Sequence, residues 1–154
     1  MLDLRQTDKL GVAAPQSLTQ VVQTTVRAME DSLLRPVARR DAGLAFQPKT
    51  LLALLSYCYA RDIYGSWDVE DALRRDRHFR LLCNNEFPGA GVIRRFRRDN
   101  REALHRCLIA ALRFLAERTL TPEKAAGGTE VQFAEEATRR IMKATFIDSM
   151  EWDP

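Results

Sequence analysis

Residues 51–60 read LLALLSYCYA, ten positions without a charged side chain. Gln47-Pro48 precede them, and proline suits the first turn of a helix because its missing N–H would have no intrahelical partner there. Wound as a helix, Leu51, Leu52, Leu54, Leu55, Tyr57, Cys58 and Tyr59 leave almost no polar face. A helix apolar all round has to be surrounded by other elements. This segment is therefore the expected central post, ending near Ile63 before Tyr64-Gly65. It is too short to span a bilayer, which takes roughly 20 residues. The opening MLDLRQTDKL has no basic head leading into an apolar stretch, so no signal peptide is expected and the chain reads as cytoplasmic, with no membrane partner.

The flanking sequence supplies helices to surround the post. Pro15-Gln-Ser17 opens one in which Leu18, Val22, Val26, Met29 and Leu33 recur every three to four residues, to about residue 35. Ser66 is an expected N-cap, with Asp68, Glu70 and Asp71 in a first turn where the helix dipole favours negative charge. That helix should reach Arg75, and Asp76 should cap a short helix over 77–83. Asn84-Asn85 and Phe87-Pro88-Gly89 mark a turn. Helical spacing resumes at Gly91, with a break near Asp99-Asn100 where Asn100 can cap a new helix. Thr121-Pro122 and Gly127-Gly128 bracket a loop, and Thr129 should cap a last amphipathic helix with Phe133, Ala137, Ile141 and Ala144 on one side. The spacing predicts an all-α fold: a compact domain with a helix-turn-helix-like core plus a C-terminal amphipathic helix. Its expected parts are an N-terminal arm over 1–15, the helical domain over 16–120 and an acidic helix and tail over 121–154.

Charge is unevenly spread. Residues 61–118 carry 13 basic and 9 acidic side chains, whereas residues 119–154 carry 4 and 7. The excess is densest in VIRRFRRDNR. At about 100° per residue, Val92, Ile93 and Phe96 fall in one arc, while Arg94, Arg97, Arg98 and Arg101 fall together on the other side, with Arg95 nearer the flank. Like charges on one exposed face repel unless an anion neutralises them, and duplex DNA does so. The alternative is a solvated face partly paired to Glu70, Asp71 or Glu86. Arg74, Arg75, Arg77 and Arg80 form a second basic cluster, of which Arg77 and Arg80 join the candidate DNA contacts. Twenty of the 24 basic residues are arginine, the better fork for phosphate and guanine edges, although a GC-rich genome enriches arginine too.

Other chemistries find little support. Cys58, Cys83 and Cys107 are odd in number and lack a C-x-x-C pair, and His78 and His105 have no neighbours at ligand spacing, so neither disulfides nor a metal site is expected. Phosphate-loop, G-x-S-x-G and H-E-x-x-H patterns are missing. The expectation is a non-enzyme without a cofactor. Tyr57, Tyr59, Tyr64 and Trp67 could form a stacking platform for single strands, but their spacing suits the core better.

The ordered series Phe46, Pro48, Lys49, Leu51, Leu52, then Asp76, Phe79, Arg80, Leu82, then Pro88, then Ile93, Arg95, Phe96, Arg97, Arg98, Asn100, Glu102, Ala103, Leu104 resembles the N-terminal domain of InsH-type insertion-sequence transposases. The likeness covers about residues 44–118. It implies a domain that engages transposon ends and precedes a ribonuclease-H-like catalytic domain bearing three metal-binding carboxylates. No such domain follows residue 118 here, so a binding module is expected. One departure stands out. Where the family has a hydroxyl residue before the isoleucine and a small polar residue after it, this chain has Val92 and Arg94, which removes a side-chain cap and adds charge. The resemblance implies DNA as the partner. Assembly with another copy or with a full-length transposase is the alternative, and a remnant without function is a third.

Overall fold

The computed structural model describes residues 17–37, 46–119 and 130–152. They form seven α-helices and one 3-10 turn, with no strand among the described residues. These are α1 (Leu18–Ala28), the 3-10 turn (Asp31–Leu33), α2 (Pro48–Ala60), α3 (Ser66–Arg75), α4 (Arg77–Leu82), α5 (Ala90–Asp99), α6 (Arg101–Thr119) and α7 (Glu130–Trp152). The expected all-α fold is the observed one. No helix among them is long and apolar enough to cross a membrane. The arm over 1–15 and the Thr129 cap lie outside the described residues.

Helix α2 is the central post. Leu51, Leu52, Leu54, Leu55, Cys58 and Tyr59 are all buried, and the helix packs against α1, α4, α5, α6 and α7. All three cysteines are buried free thiols. Burial pushes those of Cys83 and Cys107 up to about 12 and that of Cys58 higher still. Tyr59 and Tyr64 are buried and Tyr57 is half-buried, as core residues should be, but Trp67 is 47% exposed.

Local signals decide several boundaries. Ser17 caps α1 through a reciprocal pair of bonds: its hydroxyl accepts the Gln20 N–H at 3.1 Å, and Gln20 Oε1 accepts the Ser17 N–H at 2.9 Å. The helix stops at Ala28, short of the expected residue 35. Met29 turns extended, and Leu33 lies 49% exposed in the 3-10 turn. Asp76 caps α4 through the His78 N–H at 2.9 Å. After α4, Asn84 and Asn85 adopt φ of 55° and 60°, a left-handed conformation that asparagine tolerates better than most residues.

The break at Asn100 is present, but its side chain does not cap α6. Its Oδ1 accepts the Arg35 N–H at 2.6 Å, and its Nδ2 donates to the Arg35 and Phe96 carbonyls at 2.8 and 3.2 Å. Buried Asn100 thereby pins the strand-like stretch carrying Leu34 and Val37 against the core.

Helix α7 is no appendage. Ala137, Ile141 and Ala144 sit in the same core as α2 and α6. The helix also meets two helix ends with matching charge. Arg140 donates to the Tyr59 and Ala60 carbonyls at the C-terminus of α2, at 2.8 and 3.3 Å. Asp148 accepts the Ser66 N–H and hydroxyl at the N-terminus of α3, at 2.7 and 2.6 Å. A cation at a helix C-terminus and an anion at an N-terminus both complement the dipole. Ser66 is thus the first residue of α3, not its cap; Gly65 holds the cap position. A Cβ on Gly65 would come within 3.2 Å of Ile147 Cγ2, so the glycine permits the close approach of α3 and α7.

Candidate nucleic-acid interface

Helix α5 begins at Gly89, which offers no side-chain cap. The cap that the sequence appeared to lose comes from another helix: Glu70 on α3 accepts the Ala90 N–H through Oε1 at 3.0 Å. Ile93 and Phe96 are fully buried and fix the helix to the core.

The arginine face is narrower than expected. Arg97 is 6% exposed and points inward. Its Nη1 donates to Asp148 Oδ2 at 2.6 Å and to the Tyr59 hydroxyl at 3.3 Å. The reason is positional: Arg97 lies four residues after Ile93, one turn along the same buried side. Burial works against the charge of Arg97, but its contacts with Tyr59 and Asp148 outweigh that and hold its pKa above the ordinary value. Burial also pushes the Tyr59 hydroxyl up to about 12, so the group Arg97 meets there is a neutral phenol near neutral pH. Arg97 is a structural cation, not an available DNA contact.

The other four arginines converge. Arg94, Arg95, Arg98 and Arg101 line one side of an open groove of 820 Å³, and Ile141, Thr145 and Ser149 of α7 line the other. Arg95, Arg98 and Arg101 are exposed and Arg94 is half-buried. Arg98 reaches Asp99 at 3.3 Å with 70% of its side chain exposed, a pairing that solvent screens. Arg95 and Arg101 have no ion-pair partner among the described residues. Asp148 is the one acid among the described groove residues, and it is 1% exposed and committed to Arg97 and Ser66. The accessible groove is therefore strongly cationic.

Arg77 and Arg80 do not join it. Arg77 is exposed on α4. Arg80 turns back to donate to the Leu73 and Arg74 carbonyls at 3.1 and 3.0 Å, closing the C-terminus of α3. Thr145 and Ser149 escape sequence reasoning because nothing in the sequence alone places α7 beside α5. No family model, curated protein or solved structure matches the chain.

Proposed function

We propose that this protein is a DNA-binding module, not an enzyme, and that it acts as the N-terminal domain of an insertion-sequence transposase does, on transposon ends or on DNA without sequence preference. The observation that carries this reading is the convergence of Arg94, Arg95, Arg98 and Arg101 on one groove whose only acid among the described residues is buried and paired. The short helices α3, α4 and α5 follow one another along the chain, and α5 bears Arg94, Arg95 and Arg98 while Arg101 opens α6.

Binding through four phosphate contacts should show a log–log salt slope of about −3.6 for a duplex or about −2.8 for a single strand, a loss of roughly 50- to 150-fold between 50 and 200 mM salt. Fluorescence anisotropy with labelled DNA across that range measures it. Absence of binding at the lowest salt removes the proposal.

A second reading has its own observation. The outward side of α7 exposes Met142, Phe146 and Met150 at 55, 63 and 67%, more apolar surface than a solvated helix needs. It favours assembly with another copy or with a full-length transposase. Sedimentation of the free protein at the concentrations used for DNA binding separates the two: this face predicts a dimer that Phe146→Asp dissociates, and a wild-type monomer excludes self-assembly.

A further inference from the structure

Resting on that DNA-binding reading, we infer that the groove between α5 and α7 takes a single phosphodiester strand, and that α5 does not enter the major groove of a duplex. The shape carries this. A helix with its side chains is about 10–12 Å across, and the major groove is about 12 Å wide, so it admits one helix and not two side by side. Arg94, Arg95 and Arg98 of α5, with Arg101 at the start of α6, face a groove whose far side is α7, and α7 is held there by the buried bonds from Arg97 and Ser66 to Asp148. Inserting α5 into a duplex would drive the partner strand's backbone into α7. A single strand meets no such wall.

The groove's chemistry suits a phosphate backbone. On the α7 side, Thr145 and Ser149 present uncharged groups, their hydroxyls donating to the Ile141 and Phe146 carbonyls at 2.9 and 2.8 Å. They neither repel a phosphate nor compete for the arginines. Half-buried Val92 supplies apolar surface beside the arginines. Among the described groove residues there is no aromatic ring on which a base could stack, so recognition falls to the backbone and is indifferent to base sequence.

The test compares a labelled oligothymidylate, a duplex of equal length and inorganic polyphosphate as competitor, using the full chain at about 50 mM salt. The single strand should bind at least as tightly as the duplex, a mixed-sequence strand should match the oligothymidylate, and polyphosphate should displace both. Thr145→Glu places a carboxylate in the groove and should weaken single-strand binding by about tenfold or more. Val131→Glu makes the same charge change roughly 21 Å away along α7, where Val131 is 64% exposed, and should weaken it by no more than about twofold. Circular dichroism confirms that both variants fold; if Thr145→Glu does not, Thr145→Gln with its added bulk serves in its place. A duplex preferred tenfold over the strand, or equal losses in the two glutamate variants, overturns the single-strand groove while leaving DNA binding intact. Failure of every nucleic acid to bind overturns both.

Discussion

Asp148→Ala is expected to destabilise the fold by about 3–5 kcal/mol, the range for removing one partner of a buried ion pair. The residue is 1% exposed, and its carboxylate answers three donors: the Arg97 guanidinium, the Ser66 N–H and the Ser66 hydroxyl. Its loss strands a buried cation and leaves the N-terminus of α3 without its anion. Arg97→Met should cost less, because Asp148 keeps both bonds from Ser66. The double variant Arg97→Met/Asp148→Leu should recover much of the loss, since replacing a buried pair by apolar groups of similar volume is often neutral or better. Thermal and urea denaturation followed at the helical circular dichroism band test the order. A loss of roughly 10–15 °C in melting temperature is expected for Asp148→Ala in a domain of this size. A change below about 1 kcal/mol would show that water reaches the pair. The same network means that truncation before α7 should unfold the domain, because the truncated chain loses Asp148, Arg140 and part of the core together.

How much of this was legible in the sequence depends on how far apart the partners lie. The post at 51–60 and the Asp76 cap are decided within one or two turns, and each is found where expected; the Ser17 capping box is equally local, though only the helix it opens is read from the sequence. The caps that matter most for the groove are long-range. Glu70 closes α5 from 20 residues away, and Asp148 closes α3 from 82. Ser66 looked like a cap because it is a good capping residue beside acidic ones. A distant aspartate took that role and drew Ser66 inside the helix.

The misplacement of Arg97 has a different origin. Helical spacing groups it with its neighbours on one arginine face, although it also falls one turn after Ile93. Asp148 likewise continues the stripe of Ala137, Ile141 and Ala144. A charged residue in phase with an apolar stripe is a signal that it will be buried and paired. Two of opposite sign, on separate helices, invite the pairing that the structure shows. What no periodicity could supply is which helix lies across from which, and so the groove and its α7 wall were out of reach.

Removing the three exposed arginines together, as Arg95→Ala/Arg98→Ala/Arg101→Ala, should lower DNA affinity by roughly 100- to 1,000-fold at about 50 mM salt. Each neutralised phosphate releases condensed counterions, so three lost contacts should also flatten the log–log salt slope by about 2.7 for a duplex or about 2.1 for a single strand. The slope is the sharper readout, because misfolding would abolish binding without yielding a smaller, well-defined slope. Stability should hold or rise: the three side chains are exposed, only Arg98 has an ion-pair partner among the described residues, and their mutual repulsion is relieved. Arg77→Ala provides the contrast, since Arg77 is exposed on α4 and lies outside the groove; its affinity should fall by less than about threefold. If Arg77→Ala costs as much as any one groove arginine, the protein binds DNA by diffuse charge and the groove has no special part. If the triple variant keeps wild-type affinity, the convergence of arginines on this groove has some other purpose, and the DNA-binding proposal falls with it.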